Sequence, residues 1–289
     1  MDLAALKKEL LHDARSRTRA RLSNIRLPNN QRAHVSVLNT AARGACAEIR
    51  ARILQEPDLR RRQDALMTAR YVEAVLLIEL RQRAWAYDYM SLSRRAGELW
   101  HEFAAAAWEA PARSDHRRRA APAFARTLQD VRTQLAGALP GDIIGRQALE
   151  SVDSLIRLAG NVNLKTDQVF EIGGRLHAAD LKGGFGSNEK GNTERLERVA
   201  QAYRMVDSEC CLSLLIRDTE GNGYLDRLRR GGLWAVAQGE DAYAAIDEFT
   251  GSRCLELRRH VTHFEADLAP DIWRALASSP GDLTSYLSW

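Results

Sequence analysis

Residues 167–182, Asp-Gln-Val-Phe-Glu-Ile-Gly-Gly-Arg-Leu-His-Ala-Ala-Asp-Leu-Lys, read as two short strands joined by Gly173-Gly174. A two-residue Gly-Gly connection between apolar-rich runs signals a tight hairpin. That turn fixes the register: Ile172 faces Arg175, Phe170 faces His177, Val169 faces Ala178, and Asp167 faces Asp180. Directly opposed side chains share a sheet face with Cβ atoms roughly 4.5–5.5 Å apart. Lys182 lies two residues beyond Asp180, so strand alternation returns it to the same face.

The hairpin therefore places two carboxylates side by side with an ammonium next to them. Like charges in direct opposition are destabilising by themselves, and a divalent cation between them removes the repulsion. Hard cations such as Mg²⁺ take oxygen ligands, commonly one or two carboxylates plus substrate phosphates. These residue types in this order predict a phosphodiester-hydrolysis site. The metal polarises a phosphoryl oxygen and acidifies a bound water, and Lys182 orients that water or neutralises developing charge. An amphipathic surface hairpin with scattered charges is the competing expectation from spacing alone.

Helical periodicity extends outward in both directions. Helices are expected over residues 1–26, 35–54 and 59–85, with a fourth beginning near Arg94 behind a Ser91 or Ser93 cap. In that segment Gly97, Trp100 and Phe103 face inward, and Arg94 and Arg95 are candidate contacts for DNA phosphates. Residues 109–123 carry two prolines and the run Arg117-Arg118-Arg119, and read as a basic linker. Amphipathic helices follow over 124–139 and 142–159, with Asp142 as N-cap and Gly160 as C-cap. Beyond the hairpin, the Gly-rich stretch 183–192 offers Ser187, Asn188 and Lys190 as candidate DNA contacts and Glu189 as an extra metal ligand. It lacks the Gly-Lys-Ser/Thr of a Walker A loop. A helix over 192–206, a buried strand over 210–217, a short helix over 222–231, a strand over 233–238 and a helix over 241–251 complete the reading. From residue 142 the order is helix, strand, strand, helix, strand, helix, strand, helix. It predicts an α/β fold, a mixed central sheet flanked by helices, behind a large all-helical N-terminal region.

The chain has 289 residues, enough for one large domain or two smaller ones. No apolar run reaches the roughly 18 residues of a membrane span, and the charged N-terminus does not read as a secretory signal. Cys46, Cys210, Cys211 and Cys254 form no CxxC pair and read as small core residues in a reducing compartment. Residues 1–140 hold 25 Lys and Arg against 15 Asp and Glu, whereas residues 141–289 hold 17 against 23. A basic half joined to an acidic half with a carboxylate pair suits an enzyme that neutralises phosphates with one part and binds cations with the other. No GxSxG or GxGxxG pattern stands out. His260 and His263 are three residues apart without a third ligand.

Asp167 followed by Asp180-Leu181-Lys182 resembles the PD-(D/E)xK nuclease superfamily, whose pattern is an acidic residue, a hairpin, Asp or Glu, any residue, and Lys. Thr166 stands where the Pro of that name would be, a position that does no chemistry. The element order over 142–251 is similar to the superfamily's core order. The resemblance implies a restriction-endonuclease-like core over 141–289, with residues 1–140 serving DNA binding, dimerisation or both. It implies Asp167, Asp180 and Lys182 as catalytic residues and Mg²⁺ held by Asp167, Asp180 and a Glu on the preceding helix. Glu150 is the matching position, with Asp153 as substitute. In build the chain looks most like a type II restriction endonuclease: a cytoplasmic homodimer that cuts double-stranded DNA at specific sequences. A repair or recombination nuclease of the same fold, or a catalytically silent DNA-binding protein, are the alternatives.

Overall fold

In a computed structural model of the chain, residues 2–122, 124–159, 165–184 and 190–289 are described. Among them lie twelve α-helices and one five-stranded mixed sheet flanked by helices. The hairpin is β2 (Gln168–Ile172) and β3 (Arg175–Lys182), antiparallel in the expected register, with Phe170 opposite His177 and Ile172 opposite Arg175. Gly173 and Gly174 have φ of 58° and 83°. A type I′ turn needs positive φ at both central positions, and only glycine adopts it there without strain.

From β3 the chain crosses through α7 (Lys190–Val206) to β4 (Cys211–Ile216), and through α8 (Gly223–Gly231) to β5 (Ala235–Gln238). Both crossovers make parallel pairs. One face of the sheet, with Val169, Ala178, Leu212 and Leu214, buries against Leu196, Val199 and Tyr203 of α7 and Leu225 and Leu228 of α8. The other face contributes Phe170, Ala179, Leu181 and Leu215 to a larger core.

That larger core is built by α1 (Leu3–Leu22), α2 (Gln31–Ile53), α3 (Leu59–Ala84) and α4 (Tyr89–Ala105), joined by the helices that follow β5. Those are α9 (Glu240–Thr250), α10 (Cys254–His260), α11 (Phe264–Asp267) and α12 (Pro270–Ala277). α3 is the axis: its residues 63–69 and 71–79 are buried on every side. Buried polar groups need partners. Glu79 of α3 accepts from Arg15 at 2.6 Å, Asp64 from Arg253 at 2.6 Å, and Glu73 pairs with Arg50. Buried side chains from Leu3 to Trp289 belong to this one cluster, so residues 1–140 and 141–289 share it.

Two expectations need correction. The basic stretch taken as a linker contains an edge strand, β1 (His116–Arg118), antiparallel to β2 with His116 opposite Ile172 and Arg118 opposite Phe170. Its pairing is non-local, and its arginines are the charges that protect a sheet edge from further pairing. α4 begins at Tyr89, not near Arg94. Asp88 is the N-cap, its Oδ1 accepting from the Ser91 amide at 2.8 Å while Ser91 Oγ accepts from the Asp88 amide at 3.1 Å. Ser91 is thus the return partner of a capping box.

α5 (Phe124–Ala138) and α6 (Ile143–Ala159) form a helical pair, linked by Arg132 on Asp153 at 2.7 Å. Asp142 caps α6 through the Gly145 amide, while Gly160 lies outside the described residues. All four cysteines are free, three of them buried. Among the described residues no helix is long and apolar enough to cross a membrane.

Candidate active site

The hairpin brings Asp167, Asp180 and Lys182 together. Asp167 lies one residue before β2, and continuing the register from Gln168 and Ala179 sets it opposite Asp180. Asp180 is 1% exposed, and Lys182 Nζ lies 3.0 Å from its Oδ2. Asp167 Oδ2 accepts from the Leu181 amide at 2.7 Å. Thr166 and Tyr203 share a hydroxyl–hydroxyl hydrogen bond of 2.8 Å, which ties the start of β2 to α7.

Two side chains that sequence reasoning did not place complete the site. Arg195 of α7 reaches the same Asp180 Oδ2 at 2.9 Å. His101 of α4 puts Nε2 3.2 Å from Asp167 Oδ1. The signal for Arg195 was present: it lies four residues before Val199 on the apolar stripe of α7, where a cation must find a partner. His101 lies one turn past Gly97, and Gly97 is where α4 touches β3. A Cβ on Gly183 would lie 2.9 Å from the Gly97 Cα, whereas one on Gly97 would stand an ordinary 4.0 Å from Gly183, so the close approach of α4 to the end of β3 depends on Gly183. No sequence signal linked His101 to the hairpin.

The electrostatics are unequal. Burial, then the charge of Asp167, pushes the Asp180 carboxyl up to about 6, against the pull of Lys182 and Arg195. Burial also acts to raise Asp167, but the hydrogen bonds from His101 and the Leu181 amide outweigh it and hold that carboxyl at about 2. His101 is raised above its ordinary range, chiefly by its bond to Asp167. The two acids thus differ in environment, one satisfied by hydrogen bonds and the other under like-charge pressure.

A cleft of about 810 Å³ opens over the pair. Arg118 and Arg119 of the β1 edge, Lys165, Lys182 and Arg195 line it beside Asp167 and Asp180. Five cations against two carboxylates favour an anion. Arg119 spends part of its charge on Glu171 at 2.7 Å.

Glu150 is exposed on α6, and Asp153 is held by Arg132. Among the described residues no three His, Cys, Asp or Glu side chains converge as a metal cage. Ser187, Asn188 and Glu189 lie outside the described residues, and Lys190 is exposed at the start of α7. Arg95 pairs with Glu98 at 3.1 Å. Arg94 lines a separate cleft of about 360 Å³ with Gly183, Gly184 and Arg217. Compared with known protein families, curated proteins and solved structures, the chain finds no significant match.

Proposed function

We propose that the chain is a Mg²⁺-dependent nuclease that cuts double-stranded DNA at specific sequences, in the manner of a type II restriction endonuclease. One observation carries this: the opposed carboxylates Asp167 and Asp180 beside Lys182, in a cleft where cations outnumber acids. The donors fit a hard cation, because both are oxygen ligands and the charge of Asp167 raises the cost of ionising Asp180. Held by the pair, Mg²⁺ would polarise a phosphoryl oxygen and lower the pKa of the attacking water.

The remaining roles belong to the chain itself. Arg118, Arg119 and Lys165 attract the phosphate backbone. Lys182 neutralises charge that develops on the phosphate as the bond to the leaving oxygen breaks. His101 orients Asp167 and keeps it ionised. Two-fold DNA sites match a two-fold dimer, so a homodimer is the expected active form. The second reading, a DNA-binding protein that does not cut, is favoured by the two cations already neutralising Asp180.

The test is digestion of plasmid and phage DNA with Mg²⁺ and with chelator. Discrete fragments, lost on chelation, are expected. A smear, or cutting confined to branched substrates, points to a repair or recombination nuclease. Binding with no cutting selects the second reading. Asp180→Asn should lower cleavage by more than about 100-fold while duplex binding persists, and full activity in that variant would refute the site.

A further inference from the structure

Arg195 makes contacts that a cation-binding carboxylate and a DNA strand would both ask of it. It sits in the second turn of α7, and its Nη2 lies 2.9 Å from Asp180 Oδ2. Its Nη1 donates to the Lys165 carbonyl at 3.2 Å and its Nε to Asn192 Oδ1 at 3.4 Å. Lys182 Nζ lies 3.0 Å from the same Asp180 oxygen. One buried carboxylate oxygen is therefore shared by two positive groups. A divalent cation that takes Asp180 as a ligand competes with both, and like charges at such range repel strongly away from bulk water. Lys182 lies on the same strand as the carboxylate, two residues away, so its backbone is held beside it. Arg195 reaches in from another element on a long side chain, so it is the group that can leave.

Its destination is set by its surroundings. Arg195 lines the 810 Å³ cleft with Arg118, Arg119 and Lys165. A planar guanidinium released among other cations is matched by the oxygens of a phosphate, which it binds in two-pronged fashion.

We propose that Arg195 is a two-position residue: it caps Asp180 in the free protein, and moves to a backbone phosphate of the DNA when a divalent cation takes its place. The inference rests on the nuclease reading of the cleft. Cation and DNA then help each other bind. DNA draws Arg195 off Asp180 and opens the carboxylate, and the cation frees Arg195 for the phosphate. Linkage makes the two effects equal in size.

The probe is Mn²⁺ binding, followed by electron paramagnetic resonance, with and without a short DNA duplex whose bridging oxygens are replaced to block cutting. Wild-type protein should bind Mn²⁺ about tenfold or more tightly when the duplex is present. In Arg195→Ala the duplex-free protein should bind Mn²⁺ more tightly than wild type, the duplex should bind more weakly, and the mutual enhancement should fall close to onefold. Arg195→Lys, which keeps the charge but not the fork, should restore competition for Asp180 without restoring duplex affinity. Equal Mn²⁺ affinity with and without duplex in the wild-type protein overturns the proposal, and that measurement needs no variant to fold. A variant that retains full mutual enhancement overturns it as well. If wild-type protein binds the duplex but no Mn²⁺ under any condition, the nuclease reading falls and this inference with it.

Discussion

Phe170 lies between two imidazoles. Its ring centroid is 5.0 Å from that of His116 on β1 and 5.2 Å from that of His177 on β3, and both pairs are stacked. Phe249 of α9 closes the group at 5.4 Å from Phe170. The stack joins three strands, yet it buries polar atoms that have no partner among the described residues: both ring nitrogens of His116 and Nδ1 of His177. An unsatisfied buried polar atom costs about 1–3 kcal/mol. Burial lowers the pKa of His116, with Arg113 adding to it and Asp115 opposing it. Burial lowers that of His177 as well, helped by Arg175, Arg113 and His116 and opposed by Glu248. The fold therefore favours the neutral form of both rings, whereas an unfolded histidine titrates at roughly 6.5. The unfolded chain takes up protons first as pH falls, so this contribution to stability is complete above about 6.5 and declines below it. His116→Phe keeps the ring and removes both orphaned nitrogens. It should match or exceed wild-type stability at pH 7.5 and lose less between pH 7.5 and 5.5, as read from urea midpoints. Parallel losses in the two proteins would remove the stack as the cause. The Phe170–His177 half of this arrangement was legible in the sequence, because a Gly-Gly turn leaves one register. The His116 half was not, since it depends on a strand pairing across more than fifty residues.

The long helices α1, α2 and α3 were readable because apolar spacing of 3.6 residues survives any tertiary context. Short elements with non-local partners were not. β1 has three residues, two of them exposed arginines, and prolines nearby, which together are the composition of a loop. Its identity comes from the unpaired edge of β2, and nothing within residues 109–123 announces that edge. The same holds for the contact that carries His101 to the site. α4 reaches β3 through Gly97 and Gly183, and each looks in sequence like a tolerated or flexible glycine. The geometry makes them a packing pair: an added methyl at Gly183 meets the backbone of Gly97 at 2.9 Å. Backbone cannot rotate away as a side chain can, so α4 and β3 must separate. Gly183→Ala should cost about 1–3 kcal/mol, the usual penalty for overpacking, and should weaken the His101–Asp167 contact. The expected readouts are a lower denaturation midpoint and, on the proposed nuclease reading, slower DNA cleavage at a temperature where the variant remains folded. Unchanged values for both would show that α4 gives way freely and that its distance from the hairpin does not matter to the site.

Across the whole molecule, the charge asymmetry of the sequence has an internal use. Groups from the basic first half pair with acids of the second: Lys7 with Asp267 at 2.7 Å, Arg83 with Asp271 at 3.2 Å, Arg119 with Glu171 at 2.7 Å, and His101 with Asp167 at 3.2 Å. Arg253 on Asp64 runs the other way. Some of the surplus that composition assigns to phosphates thus fastens the helical region to the sheet and the C-terminal helices. The most buried of these ties is Lys7–Asp267, with side chains 8% and 9% exposed. Lys7 also donates to the Val261 carbonyl at 2.9 Å, and the Tyr71 hydroxyl donates to Asp267 at 2.7 Å. Asp267 therefore holds α1, α3 and α11 at one point. Removing one partner of a buried pair strands the other as an uncompensated charge, at a cost of about 3–5 kcal/mol. Asp267→Ala should lose stability on that scale, and Lys7→Met combined with it should recover part of the loss, because an apolar group then replaces the stranded ammonium. The core that these ties enclose is shared from Leu3 to Trp289, so the helical region and the sheet should also unfold together. Far-ultraviolet dichroism, which reports mainly on helices, and tryptophan fluorescence should then give coincident melting curves for the wild-type chain. Separate transitions, or an Asp267→Ala penalty confined to the helical signal, would instead mean that the two parts fold as independent units and that the ion pairs across them act only as surface contacts.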